Sequence, residues 1–202
     1  RSVAYGGDIE YVCLEVAGGN FVGGNITEEE TIRFNKLGGN KYVLAKSLIE
    51  DFERQTKLIL NKDLVTWSGT GKDLTGMICH HPLHGKGYEF DVPLLAGDFV
   101  TTDAGTGFVH CAPGHGEDDY RLGIANGIEV PHTVGPDGTY FPHVPLFAGA
   151  AVYMPDGKKG PANKFVINAL TEAGNLAARN QITHSYPHSW RSKAPVIFRN
   201  TP

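Results

Sequence analysis

From Leu64 to Pro113 the chain is made of short β-branched and aromatic runs, each closed off by Gly, Pro or Asp: Leu64–Trp67, Met77–His80, Tyr88–Val92, Asp98–Thr102 and Gly107–Cys111. Runs of this length are too short for long helices, and their spacing predicts an antiparallel, barrel-like β region. The 26 glycines and 12 prolines supply the turns such a region needs. Outside it, Tyr11–Val16 reads as a further strand, closed by Gly18-Gly19. Thr27-Glu28-Glu29-Glu30 has the form of a capping box, so a short helix is expected there, ending near Gly38-Gly39. Apolar Val43, Leu44, Leu48, Ile49 and Phe52 recur at helical spacing and predict a helix over Tyr42–Gln55. Two more helices are expected, one starting at Glu117–Asp119 and one over Ala162–Ala173, and Val196–Arg199 reads as a strand leaving the domain. The expected fold is α+β and β-rich, one domain over residues 1–202.

At 202 residues the chain can bury one substantial core. It opens on Arg1 rather than Met, carries no charged-then-apolar leader and has no apolar run of membrane-spanning length, so it reads as a soluble piece of something longer. Three cysteines, Cys13, Cys79 and Cys111, fit free thiols of a cytoplasmic protein better than a disulfide framework. In that compartment the Asn25-Ile26-Thr27 sequon is a chance match. The net charge of −4 argues against a broad basic nucleic-acid surface. The charge is unevenly spread: Leu176–Pro202 holds Arg179, Arg191, Lys193 and Arg199 with no acidic residue, which leaves the first 175 residues a formal −8. Contact with one end of an RNA fits this pattern; wrapping a duplex does not.

Two nucleotide-like motifs fail on inspection. Gly71-Lys72 lacks the first glycine of a phosphate-binding loop, with Thr66 in its place, and Asp73 stands where Ser or Thr belongs. Gly105-Thr106-Gly107 begins like a dinucleotide fingerprint but has His110 at the third glycine position and no βαβ pattern around it. No Gly-x-Ser-x-Gly nucleophile elbow occurs.

The densest chemistry lies in Asp103–Tyr120: a glycine turn, a strand, a Pro-Gly break and a helix start. The glycines let a ligand approach the backbone and its N–H groups. His110 and Cys111 are strand neighbours and point to opposite faces, which argues against a Cys–His nucleophile pair. Asp118 and Asp119 fall in a helix's first turn, where the dipole keeps a carboxylate ionised. Such a charge beside an open loop suits an ammonium ligand, but on the residues alone plain helix capping is the better-supported reading. Cys79-His80-His81-Pro82-Leu83-His84, and His110 with His115, are candidate metal ligands, but neither group has zinc-site or metalloprotease spacing. No metal site is expected.

The run Gly105-Thr106-Gly107-Phe108-Val109-His110-Cys111-Ala112-Pro113-Gly114-His115-Gly116-Glu117-Asp118-Asp119-Tyr120 closely resembles the Gly-Thr-Gly-x-Val-His-x-Ala-Pro-Gly-His-Gly-x-Asp-Asp-Tyr motif of bacterial isoleucyl-tRNA synthetase editing domains. His184–Arg191, followed by Pro195–Pro202, is similar to the return segment leading from that inserted domain to the catalytic core. The His-Ile-Gly-His and Lys-Met-Ser-Lys-Ser motifs of class I synthesis cores are absent. The resemblance therefore implies an editing fragment that needs no cofactor of its own, with ATP and Mg belonging to the catalytic core of the parent enzyme. The family fold is a barrel-like domain with surrounding helices.

By resemblance, Asp119 holds the α-ammonium of a misattached amino acid, and His110 shapes the pocket and rejects isoleucine. Gly105, Thr106, Gly107, Ala112, Pro113, His115 and Asp118 line the same substrate cleft. The implied reaction is hydrolysis of valine from the tRNA for isoleucine, with the acceptor end of that tRNA and the rest of the synthetase as partners, and neither DNA nor membrane. Isoleucine and valine differ by one methylene, and isoleucine-specific synthetases are known to discriminate between them only about 150-fold by binding. A second, smaller sieve is then needed. An aminoacyl ester is already activated, so a positioned water and oxyanion-directed N–H groups suffice without a catalytic triad. In the family a Thr-rich segment, Trp-Thr-Thr-Thr-Pro-Trp-Thr, precedes the stretch resembling Arg1–Tyr5 and forms one pocket wall. The expectation is a domain without that wall, to which Thr101-Thr102 is no substitute. Two rival readings stay open: a module that binds the charged acceptor end without turnover, and a metal-dependent hydrolase built on the histidines.

Overall fold

Strand β2, Glu10–Gly19, sorts its side chains onto two faces, and each face builds its own core in the computed structural model. That structure describes residues 1–19, 37–180 and 185–197. Val12, Leu14 and Val16, two residues apart, join Leu37, Leu44, Phe52, Leu58 and Leu60 on one face. Tyr11 points the other way and packs with Tyr5, Ala45, Leu48, Leu74 and Leu94. Fully buried Leu14, Leu44 and Leu58 each contribute roughly 1.5–3 kcal/mol of burial.

The described residues divide into two compact units. The first comprises Arg1–Cys79, Val92–Cys111 and Leu176–Asn180. Here β2 pairs antiparallel with β3 (Lys41–Ala45) and β4 (Leu58–Thr70) in a three-stranded sheet of order β3-β2-β4. Between β3 and β4 lie a 3-10 turn, Lys46–Leu48, and helix α1, Ile49–Thr56. Helix α1 ends where Lys57 turns left-handed at φ 62° and returns its N–H to the Glu53 carbonyl. A second sheet runs β5-β6-β1-β7, from β1 (Ser2–Tyr5), β5 (Ile78–His80), β6 (Asp91–Ala96) and β7 (Phe108–Cys111). Strand β1 is central, parallel to β6 and antiparallel to β7, with Val3 opposite both Leu94 and His110.

The second unit comprises His80–Asp91, Ala112–Asn175 and Gln181–Pro202. It holds helix α2 (Glu117–Ala125), helix α3 (Ala162–Glu172) and a chain of tight turns joined by single bridges such as Val134↔Tyr140 and Tyr153↔Lys159. Its core gathers Leu83, Val144 and Phe147 with Tyr88, Tyr140, Val166 and Leu170.

The β-rich α+β expectation holds, with the strands set in two open sheets rather than a closed barrel. Strands near Tyr11–Val16, Leu64–Trp67, Met77–His80 and Gly107–Cys111 are present, as are helices starting at Glu117 and spanning Ala162–Glu172. Several further expectations need correction. The first four residues of Tyr42–Gln55 belong to strand β3, because β2 offers them a partner: Val12 faces Leu44 and Tyr11 faces Ala45. The strand expected at Tyr88–Val92 instead runs Asp91–Ala96, taking Pro93 into its interior. Asp98–Thr102 is turn and bend, where the Val100 N–H bonds back to the Gly97 carbonyl. The β1–β6 pair is parallel, where only antiparallel pairing was expected. The helix expected after Thr27 lies outside the described residues, apart from its end near Leu37. Of Val196–Arg199, residues 196 and 197 are not strand and the rest lies outside the described residues. Among the described residues no helix is long and apolar enough to cross a membrane.

Candidate functional site

The Gly105–Tyr120 motif falls in two halves, one in each unit. In the first unit the glycine turn leads into β7 and is tied down from two directions. The Ala45 N–H donates to the Thr106 carbonyl at 2.8 Å. The Tyr11 hydroxyl donates to the Gly107 carbonyl at 2.6 Å and accepts the Gly6 N–H at 3.0 Å. Burial pushes the Tyr11 phenol further up, so it stays a neutral donor. Gly107 has φ 77°, and a Cβ there would stand 2.5 Å from that of Ala45, so both conformation and space require glycine. Gly105 shares the left-handed conformation, at φ 82°, but faces open space.

These ties leave the Thr106 side chain partly exposed, with no hydroxyl partner among the described residues. His110 is exposed on β7 and Cys111 is fully buried, the opposite-face arrangement expected of strand neighbours. A nucleophile pair from these two is therefore geometrically excluded.

In the second unit the break Ala112–Gly116 folds as a turn, the His115 N–H donating to the Ala112 carbonyl at 2.8 Å. Pro113 is buried against Gly123 of α2, where an added Cβ would approach its ring to 2.7 Å. Gly116 is the N-cap of α2 and supplies no side-chain cap, so the acidic first turn, Glu117, Asp118 and Asp119, meets the positive end of the helix. Asp119 does not cap its own helix. One of its oxygens reaches back to accept the Ala112 N–H at 2.9 Å. Its other oxygen has no partner among the described residues. Half-buried Asp119 thus presents an oriented carboxylate beside the turn, whereas Asp118 and His115 are exposed.

The histidines at residues 80–84 have structural employment. His81 Nδ1 accepts the Leu83 N–H at 3.0 Å, and its ring stacks on Tyr88 with centroids 4.5 Å apart. His80 and His84 lie ring to ring at 4.4 Å. Among the described residues no three His, Cys, Asp or Glu side chains gather as metal ligands would. The phosphate-loop look-alike is also accounted for: Lys72 Nζ reaches Asp8 at 2.6 Å, and Thr70 with Asp73 forms a capping box for the 3-10 turn Gly71–Leu74.

The residue that sequence reasoning missed here is Tyr11. Nothing local marks it, because its partner Gly107 lies 96 positions away.

A β-rich α+β fold with an editing-type glycine turn and an acidic helix start defines the class, and comparison with known proteins agrees. The family model described as leucyl-tRNA synthetase, editing domain, matches residues 35–174, and the chain belongs to that family of synthetase editing domains. Among curated proteins it is similar to the isoleucine–tRNA ligases of Caulobacter vibrioides, 48% identical over 212 residues, and Gluconobacter oxydans, 45% identical over 213 residues. Each match takes in 100% of this chain and 20% of the relative, so the chain spans about a fifth of the proteins it resembles. The isoleucyl branch of the family, read from the Gly105–Tyr120 motif, is the one these relatives represent. A solved structure, GlLeuRS-CP1, aligns at 13% identity and a TM-score of 0.38 over 64% of this chain and 43% of that one, too distant to bear on the site.

Proposed function

We propose that this chain is the proofreading part of an isoleucine–tRNA ligase and hydrolyses valine from the tRNA for isoleucine. The observation that carries the reading is the Asp119 carboxylate, fixed by the Ala112 N–H at the start of α2 with one oxygen left over. That oxygen suits the α-ammonium of an esterified amino acid, a charge-assisted contact that orients the ester carbonyl. Water attacks the carbonyl carbon, the tetrahedral oxyanion is met by backbone N–H groups, and the ester C–O bond breaks to release valine and the ribose hydroxyl. Gly105, Thr106 and Gly107 line the amino-acid end, with the Thr106 hydroxyl available to it. His110 sets the size limit that turns isoleucine away. Ala112, Pro113, His115 and Asp118 shape the loop around Asp119. No cofactor is needed for this step; ATP and Mg serve synthesis elsewhere in the ligase. The partners are the charged acceptor end of the tRNA and the remainder of the ligase, and the setting is cytoplasmic.

The test is release of valine and isoleucine from the tRNA for isoleucine, by the intact ligase and by this chain alone. Selective valine release that is lost in Asp119→Ala supports the reading. Binding of a non-hydrolysable valyl-adenosine analogue, together with no release of valine from the charged tRNA by either protein, would replace it with a binding-only module.

A further inference from the structure

We infer that Tyr11 is a positioning residue for the editing reaction, acting by holding the Gly105–Gly107 turn in register through its hydroxyl. The inference rests on the editing function proposed above. The residue lies on β2, far in sequence from the motif, yet its oxygen bridges two backbone segments: it accepts from Gly6 N at 3.0 Å and donates to the Gly107 carbonyl at 2.6 Å. Both bonds are buried, and Tyr11 is fully buried. A buried donor and acceptor served by one hydroxyl have no water to replace it.

The same side chain constrains the turn sterically. Its ring lies against Phe108, the first residue of β7, with centroids 4.6 Å apart. Its Cε1 would stand 3.3 Å from a Cβ placed on Gly107. With Gly107 at φ 77°, where an added Cβ would crowd Ala45 and Tyr11, and the Thr106 carbonyl bonded to Ala45 N, those two residues form a floor beneath the turn. The other side, with the Thr106 side chain and Gly105, is what a substrate can meet. The Tyr11 hydroxyl therefore sets the height of the turn above the β2–β3 sheet, and displacements of about 1 Å at such a position can cost a reaction on the order of 100-fold.

Tyr11→Phe in the intact ligase tests this, because it keeps the ring and removes only the two hydrogen bonds. Expected is a fall in kcat for valine release of roughly 10- to 100-fold with KM changed much less, and a changed ratio of valine to isoleucine release. Leu74→Ala serves as control: Leu74 is buried in the same cluster but touches no part of the turn's hydrogen bonding. It should lower the melting temperature and leave kcat in place below the melt. If Tyr11→Phe only lowers the melting temperature, as Leu74→Ala does, with kcat and selectivity unchanged, Tyr11 is purely structural and the inference is overturned. If the unsubstituted ligase itself releases no valine, it is the editing function that has failed, a result separable from the first.

Discussion

The Asp119 carboxylate accepts the Ala112 N–H at 2.9 Å, closing the turn that precedes α2 with the third residue of that helix. The aspartate therefore has a structural duty and, with its second oxygen, a chemical opportunity. The two are separable by substitution. Asp119→Ala removes both; it should keep the fold, at a cost of about 1 kcal/mol for the lost hydrogen bond, and reduce valine release by roughly 30-fold or more, the equivalent of about 2 kcal/mol of charge pairing. Asp119→Asn retains the acceptor for Ala112 and removes the charge. Near-normal stability with a loss of activity as large as in the alanine variant would assign the effect to the ammonium contact; full activity in Asp119→Asn would refute that contact.

His110 is exposed on β7, its neighbour Cys111 turned into the core. A side chain in that position can limit the size of what enters without touching the reacting atoms. His110→Ala is expected to begin releasing isoleucine, lowering the preference for valine by about 10-fold, the order of magnitude one methylene is worth. Should valine release fall by that factor with selectivity intact, His110 is acting as a base instead, and the gate is wrong.

Much of this was legible in the sequence, and where it was not the reasons are physical. The Gly105–Tyr120 motif is contiguous, so its turn, strand and helix start could be read locally. The strand Lys41–Ala45 could not, because Val43, Leu44, Leu48, Ile49 and Phe52 satisfy a helical period while the pairing that decides the matter comes from β2. Strand β1 is only four residues long and pairs with strands about ninety and more than a hundred positions later, the nearer of them parallel, so no hairpin signal marks it. Pro93 read as a strand end and is instead accommodated within β6. Tyr11 read as one more residue of a β-prone run; its hydroxyl contacts exist only once β2 and the glycine turn are brought together.

Gly105 and Gly107 both have positive φ, but only Gly107 has a neighbour in the way. Gly105→Ala should cost about 1–2 kcal/mol, the ordinary penalty of a left-handed alanine. Gly107→Ala adds a Cβ 2.5 Å from that of Ala45 and should cost at least about 2 kcal/mol more. Urea unfolding of both variants checks the order, and equal costs would mean the turn relaxes away from Ala45.

Burial pushes the phenols of Tyr140 and Tyr88 up in the second unit. A group whose pKa is raised on folding contributes stability below its unfolded value, here about 10, and loses that contribution as pH climbs through the folded value. The contribution of these two phenols to folding stability should therefore stay level from neutral pH to about 10 and decline beyond it. Tyr140 is the cleaner probe, since its hydroxyl has no hydrogen-bond partner among the described residues, and Tyr140→Phe keeps the ring that packs on Phe147 at 6.3 Å. This variant should match the parent at neutral pH and show a shallower alkaline decline in urea midpoint. An identical decline in both proteins would place the alkaline sensitivity on other groups, because a phenylalanine has no proton to lose.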